Sequence, residues 1–289
     1  MPRWPRLDRQ WIRRLLPTCE HNVSLARRHL QWIKEKASDQ ATGAVAIPVV
    51  NAAIRDRVLF DKPLQYVLGT QPFGELDIVT RPPVLIPRWE TEEWVHRLID
   101  ILKPRLQDST TPFRILDICT GTGCIALALA SQLPNVHVTA IDIADEAIDL
   151  ARHNQRIHAI QSVDFYKMDV FDLQVPFSHK QPFDMVVANP PYITEEEYAL
   201  LEPCVKDWED QRALMADDHG LAVHKRIATL CSASHFLRPC QEDKGHPRLL
   251  MEIGGSHQVP VLTEILTKSF RNVSTWKDLA GKERVVVAS

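Results

Sequence analysis

The sequence has no apolar run approaching the ~18 residues that a membrane-spanning helix needs, which excludes an integral helical membrane protein. It has no CxxC pair. Its six cysteines (Cys19, Cys119, Cys124, Cys204, Cys231 and Cys240) stand apart, so neither a zinc site nor a redox dithiol is indicated. Scattered cysteines in a chain of this size read as reduced thiols of an intracellular compartment. The 12 histidines lack ligand spacing, and His96, His153 and His158 read as surface or packing residues, so no metal is expected. There is no internal repeat and no low-complexity tract. Charge is not lopsided either: the net charge is −3, with 25% charged and 45% hydrophobic residues, as in an ordinary soluble protein. A general phosphate-coating role is not indicated.

The 289 residues allow one large α/β domain and a smaller attachment. Residues 1–36 hold Arg3, Arg6, Arg9, Arg13, Arg14, Arg27, Arg28, Lys34 and Lys36 against Asp8, Glu20 and Glu35. Residues 1–60 read as helical. Trp4, Leu7, Trp11 and Leu15 recur at helical spacing until Pro17, and Ala26, Leu30 and Ile33 mark a second helix. A third follows Pro48, a first-turn residue. An Arg-rich amphipathic start fits a mitochondrial targeting helix or the basic face of a small helical domain. Any cleaved presequence is expected to be short, because the helical domain needs most of residues 20–60. In 61–92, Pro63, Gly69, Pro72, Gly74, Pro82, Pro83 and Pro87 punctuate short apolar runs such as Glu75–Thr80, which predicts a hairpin or linker. Beyond Phe113, strands at Arg114–Ile118, Val136–Ile143, Val163–Met168, Phe183–Ala188, Arg248–Ile253 and Arg284–Ala288 alternate with helices. The helices are at Ile125–Leu133, Ala144–Ile157 and Leu221–Ser232. The expected fold class is α/β, with a doubly wound sheet.

The first strand runs into Cys119-Thr120-Gly121-Thr122-Gly123 and then a helix. Glycines at such a turn let backbone approach a ligand, and the helix start offers free N–H groups. The second strand ends at Asp142, an acid placed to accept from both hydroxyls of an adenosine ribose. Asp145 reads as the better helix cap. Asp169 and Val170 end the third strand, where they could flank an adenine. These strand ends share one sheet edge and predict an adenosine-type cofactor, with NAD and S-adenosylmethionine both open.

The strand Phe183–Ala188 runs into Asn189-Pro190-Pro191-Tyr192. Two prolines remove two N–H donors and hold the chain extended. The Asn189 side chain and a proline carbonyl can then point outward as paired acceptors for a substrate NH2 group. Tyr192 offers a flat face for a planar amide or base. Catalysis would be by positioning, with no strong base, because the nitrogen can release its proton to the Asn189 or Pro190 oxygens. A hydride-transfer enzyme has no evident use for this arrangement.

Asn189–Tyr192 resembles the signature of methyltransferases that act on amino nitrogens of adenine, cytosine or glutamine. From residue 60 onward the chain resembles one branch, the protein-glutamine N5-methyltransferases of peptide chain release factors, in the fungal mitochondrial style. The likeness rests on Leu64–Gly69, Pro72–Gly74, Val84–Glu92 (with Trp89 within it), Met251–Gly254 and Asp278–Arg284. It implies a seven-stranded class I S-adenosylmethionine methyltransferase sheet over 93–289 and a helical substrate-docking domain over 1–60. It also implies that Cys119 to Gly123, Asp142, Asp169 and Val170 bind S-adenosylmethionine. Asn189 would touch both cofactor and substrate, with Pro190, Pro191 and Tyr192 against the Gly-Gly-Gln loop of a class I release factor. Location would be mitochondrial, or cytoplasmic for a bacterial-type protein. Family members usually have glycine where Cys119 stands, so an ordinary backbone conformation is expected there. Trp208–Asp210 and Ala216–Asp218 follow the family only loosely. Trp89 and Trp94 read as packing residues. Arg88 and Glu92 could orient the cofactor's methionine end, with a bridge from linker to sheet the favoured reading. Glu195–Glu197 could attract a basic release-factor surface, with a solvated helix start the more common use of such a run. The rivals are a DNA or RNA adenine N6-methyltransferase acting on a flipped base, a ribosomal-protein glutamine methyltransferase, and a non-catalytic cofactor-binding assembly factor. Nucleic acid is disfavoured as a partner by the net charge and the lack of a basic, aromatic-rich domain.

Overall fold

The computed structural model describes residues 6–38, 43–172, 182–233, 236–239 and 246–289. Arg3, Trp4 and Cys240 lie outside them. The chain opens with α1 (Arg6–Leu15), a tight turn at Leu16–Cys19, α2 (Val23–Lys36), α3 (Ile47–Leu59) and α4 (Leu64–Leu68). Pro17 sits inside the turn that ends α1, and Pro48 occupies the first turn of α3. Asn22 caps α2 by accepting from the N–H groups of Ser24 and Leu25. Trp11, Ile12, Leu15, Ala26, Leu30, Ile33, Val50 and Ile54 form one buried cluster. Trp11, Ile12 and Leu15 build the arginine-rich first helix into this core, so residues before 20 belong to the helical unit together with those after it.

A hairpin follows, β1 (Thr70–Phe73) paired antiparallel with β2 (Leu76–Val79). Then comes α5 (Trp89–Leu106), which runs across residue 92. Its Thr91, Trp94, Val95, Leu98, Ile99, Leu102 and Leu106 are buried at helical spacing. Burying each large aliphatic side chain there contributes roughly 1.5–3 kcal/mol. Trp94 packs as expected, but Trp89, at the first position of the helix, is 51% exposed and is not a packing residue.

The remaining elements are β3 (Phe113–Ile118), α6 (Cys124–Gln132), β4 (Val136–Asp142), α7 (Asp145–Ile157), β5 (Val163–Lys167) and β6 (Met185–Ala188). Short helices α8 (Glu195–Ala199), α9 (Pro203–Lys206), α10 (Gln211–Leu214) and α11 (Asp217–Gly220) lead to α12 (Ala222–Ser232). The chain closes with β7 (Leu249–Glu252), α13 (Val259–Leu266), β8 (Val273–Lys277) and β9 (Glu283–Ala288). The seven strands β3–β9 lie in the order β5-β4-β3-β6-β7-β9-β8, parallel from β5 to β7, with β9 running antiparallel to both of its neighbours, β7 and β8. Strand alternation divides the interior in two. Ile115, Met185, Val187, Leu250, Val285 and Val287 face one core with α5 and α6, while Leu116, Val186, Leu249, Met251 and Val286 face the other with α12 and α13. The chain leaves β3 toward β4 and β5 and returns on the other side at β6, so a crevice opens between the C-terminal ends of β3 and β6.

Candidate active site

At that crevice lies a cavity of about 470 Å³. Ile118, Cys119, Gly121, Ile141, Asp142, Asp169, Val170, Asn189 and Pro191 line it, together with Val84, Leu85, Ile143, Phe171, Arg212 and Met215. The sheet thus brings together most of the residues singled out in the sequence. Thr120, Thr122, Gly123, Pro190 and Tyr192 do not line the cavity.

The loop after β3 explains the division. Cys119, Gly121 and Gly123 all have positive φ (62°, 55° and 81°), so the left-handed conformation recurs at alternate positions. The ordinary conformation expected at Cys119 is therefore not adopted. A non-glycine residue held there costs of the order of 1–2 kcal/mol, offset by the packing around it. Alternation turns Thr120 and Thr122 inward: Thr120 Oγ1 donates to Asp117 Oδ2 (2.6 Å), and the Thr122 carbonyl accepts from Asn154 Nδ2 (3.0 Å). A Cβ on Gly123 would stand 3.0 Å from the Phe165 ring and 3.1 Å from Ala151 Cβ, so this glycine permits close packing against β5 and α7. A Cβ on Gly121 would meet nothing within 4 Å. Cys119 is half-buried, and burial, with Asp142, Asp117 and Asp169 nearby, raises its pKa and keeps it a thiol.

Asp142 closes the loop. Its Oδ2 accepts from the N–H of Gly121 (2.9 Å) and its Oδ1 from the N–H of Ala144 (3.0 Å). Burial raises its pKa, while these backbone donors oppose the rise. The expectation that Asp145 caps α7 is corrected here: the cap position is Ala144, and Asp145 instead pairs with Lys167 (2.6 Å). Each Asp142 oxygen retains acceptor capacity beyond its backbone donor. Carboxylates at Asp142 and Asp169, apolar walls at Ile118, Ile141, Ile143 and Val170, and an open glycine backbone at Gly121 make a donor–acceptor set that fits an adenosine-bearing cofactor.

Deeper, Asp117 is fully buried, which pushes its pKa up to about 7; the Thr120 hydrogen bond opposes the rise and Asp142 adds to it. The folded protein therefore holds this proton to higher pH than the unfolded chain. Its stabilising contribution is complete below about pH 4 and is lost as pH rises through about 7, on the order of 4 kcal/mol by linkage. Between pH 5 and 7.5 the melting temperature of Asp117→Asn should rise relative to wild type. Parallel thermal-denaturation curves would contradict this assignment.

Asn189 follows β6, where Ala188 pairs with Ile118 on one side and Met251 on the other. Asn189 Nδ2 donates to Thr91 Oγ1 (3.2 Å). Pro190 and Pro191 are buried and Tyr192 is half-buried. The backbone after the prolines is pinned: the N–H groups of Tyr192 and Ile193 donate to the Leu214 carbonyl, and the Tyr192 carbonyl accepts from Gln258 Nε2 (3.2 Å). Burial raises the Tyr192 phenol pKa, so the ring enters any contact neutral. Arg88 bridges to Glu209 (2.6 Å), whose carboxylate is almost wholly buried, and Glu92 Oε1 accepts from the N–H of Gly74 (2.9 Å). Both are therefore structural links. Glu195–Glu197 begin α8 behind a Thr194/Glu197 capping box. Sequence reasoning missed Gln258 and Thr91 as neighbours of the signature. The helical burial pattern of α5 signals that Thr91 faces inward, but no local signal marks what it meets. Among the described residues no cluster of potential metal ligands occurs and no helix is long and apolar enough to cross a membrane.

A family profile described as a methyltransferase domain matches residues 110–230. The release factor glutamine methyltransferase of Aliivibrio fischeri is 33% identical, over 89% of this chain and 82% of its own. A Schizosaccharomyces pombe protein named probable MRF1 mitochondrial N(5)-glutamine methyltransferase is 31% identical, over 91% of this chain and 87% of its own. The release factor glutamine methyltransferase of Fusobacterium nucleatum is 36% identical over 78% of this chain, which spans 60% of that longer protein. Among solved structures, the N-terminal domain of human METTL16 aligns with a TM-score of 0.53 at 18% identity, over 90% of this chain and 89% of that one. Identity that low shows a shared fold and nothing more.

Proposed function

The chain belongs to the release factor glutamine methyltransferase family, and from that premise we propose that it methylates N5 of the glutamine in the Gly-Gly-Gln motif of a class I release factor. S-adenosylmethionine supplies the methyl group from its sulfonium sulfur. The observation that most supports the reading is Asn189, held at the rim of the adenosine-type cavity with its side-chain nitrogen already engaged by Thr91. Asp142 has capacity to accept from ribose hydroxyls, Asp169 and Val170 to flank the adenine, and Cys119 and Gly121 to present loop backbone. Thr120, Thr122 and Gly123 shape that loop from within. Asn189 Oδ1 and the Pro190 carbonyl accept the two N–H bonds of the substrate amide, which fixes its nitrogen in place. Pro191 keeps the segment extended, and Tyr192, outside the cavity, offers its ring to the flat amide. The nitrogen gains a methyl and releases one proton through these oxygens to water.

Within this proposal the helical residues 1–60 help to dock the release factor, 61–92 join them to the sheet, and 93–289 form the catalytic domain. A mitochondrial location draws support from the basic start of the chain and from the mitochondrial names of the Schizosaccharomyces pombe relative and a 35% identical Saccharomyces cerevisiae one. The test is a competition for labelled methyl from S-adenosylmethionine among a mitochondrial class I release factor, its Gln→Ala variant, ribosomal proteins and adenine-containing DNA and RNA. Label confined to the intact release factor is expected. Label on nucleic acid or ribosomal protein alone would overturn the proposal.

A further inference from the structure

Thr91 and Glu252 are separated by 161 positions in the chain yet meet beneath Asn189. Each is 1% exposed. Glu252 Oε2 receives two donors, Thr91 Oγ1 at 2.7 Å and Trp94 Nε1 at 2.8 Å. Burial raises the Glu252 pKa while these two hydrogen bonds oppose the rise; with the carboxyl ionised, or with its proton on Oε1, Oε2 can only accept. The single hydroxyl proton of Thr91 is therefore committed to Glu252, and only lone pairs remain on Oγ1. Those lone pairs receive Asn189 Nδ2 at 3.2 Å. If the Asn189 amide were turned over, Oδ1 would face Thr91 Oγ1, and two acceptors would be set against each other in a buried place. That arrangement forfeits a hydrogen bond and leaves a buried acceptor unsatisfied. The trio thus removes the usual ambiguity of an asparagine side chain, which can present either its oxygen or its nitrogen.

We infer that Thr91 and Glu252 are positioning residues for methyl transfer: they lock Asn189 with Nδ2 inward, so that Oδ1 is the atom offered to the substrate. The inference rests on the reading of Asn189 as an acceptor for a substrate NH2 group. An unlocked Asn189 would spend part of its time presenting NH2 to NH2, donor against donor, and the substrate nitrogen would lose its alignment. Trp94 fixes the carboxylate from the second side, so that Glu252 does not swing away when Thr91 moves. Neither Thr91 nor Glu252 lines the cavity, so cofactor affinity should be nearly indifferent to them.

The experiment compares wild type with Thr91→Val, Thr91→Ala, Thr91→Ser and Glu252→Gln. For each, kcat and KM are measured on a release factor, and S-adenosylmethionine affinity is measured by calorimetry. The side-chain amide signal of Asn189 is followed by NMR in the ligand-free protein, assigned by its absence in Asn189→Asp. Thr91→Val and Thr91→Ala should lower kcat about 10–100-fold, with KM and cofactor affinity within about threefold. Their Asn189 amide signal should shift and its hydrogens should exchange faster. Thr91→Ser keeps the hydroxyl and should restore both readouts. Glu252→Gln still offers an accepting oxygen and should fall between. An unshifted Asn189 signal in both hydroxyl-free variants, kcat within twofold of wild type, or a serine variant as poor as the valine one would overturn the inference. Should Thr91→Val not fold, Thr91→Ala and Thr91→Ser decide the matter. A wild type with no methyl transfer would strike the functional reading instead, while the NMR arm would still report on the lock.

Discussion

Asn189→Ala should lower the rate of methyl transfer by about 10²–10³-fold while the protein stays folded and still binds S-adenosylmethionine. The expectation follows from where the residue sits. Asn189 is carried on the end of β6, the strand between β3 and β7, whose Met185–Ala188 are all completely buried. Alanine there leaves the sheet unchanged and removes only the acceptor and its bond to Thr91. The larger part of the cavity wall, from Ile118 and Asp142 to Val170, is contributed by other strands, so cofactor affinity should change by less than about tenfold. Single-turnover transfer and calorimetry on the same sample separate the two effects. A variant that lost cofactor binding in proportion to its rate would show that Asn189 serves only to hold the cofactor.

Gly220→Ala should destabilise the protein by about 2–5 kcal/mol and take activity with it. Gly220 ends α11 with φ +76°, after Asp218 and His219, which are also left-handed at φ 56°. A Cβ at Gly220 would stand 2.1 Å from the Tyr192 carbonyl oxygen and 2.8 Å from its carbon, both of them backbone atoms that cannot rotate aside. Gln258, fully buried, ties this place together: its Nε2 donates to the carbonyls of Tyr192 and Gly220, and its Oε1 accepts from the N–H of Gly254. On the far side, a Cβ at Gly254 would come within 3.0 Å of the Tyr192 ring. Tyr192 is therefore seated between two glycines, and a methyl group on Gly220 must push the signature backbone out of place. Gly281→Ala is the control. Gly281 has a similar φ of +78° but open space around it, so it should cost only about 1 kcal/mol. Chemical denaturation of the two variants separates steric clash from backbone preference, and equal losses would remove the clash argument.

The inner parallel strands β3, β4, β6 and β7 were readable because each is a short, largely apolar run ended by a turn, the pattern of a strand buried on both faces. The edge strand β5 was readable because buried Val163 and Phe165 alternate with exposed Asp164 and Tyr166. Asp142 and Asn189 were readable because both stand at strand ends, where such sheets bind ligands. Strand β8 was missed because it lies at the edge of the sheet, and of Val273–Lys277 only Trp276 is buried. The left-handed turn at Cys119 was invisible for a different reason. Its side chain argues for ordinary backbone, and only the alternation with Gly121 and Gly123 forces the exception. Asp145 looked like a cap because it opens a helical pattern, yet Asp142, at the strand end before it, already reaches the Ala144 N–H. The partners that orient the signature were the least legible. Thr91, Glu252 and Gln258 each come from a distant element, and no spacing rule joins residues 161 positions apart.

The most direct test of the account is fragment mass spectrometry of a class I release factor incubated with this protein and S-adenosylmethionine bearing a 13C-methyl group. One added methyl is expected, carried by the glutamine of the Gly-Gly-Gln motif on its side-chain nitrogen and absent when Asn189→Ala replaces the wild type. A methyl on any other residue, or an unmodified glutamine beside methylated nucleic acid in the same reaction, would contradict it.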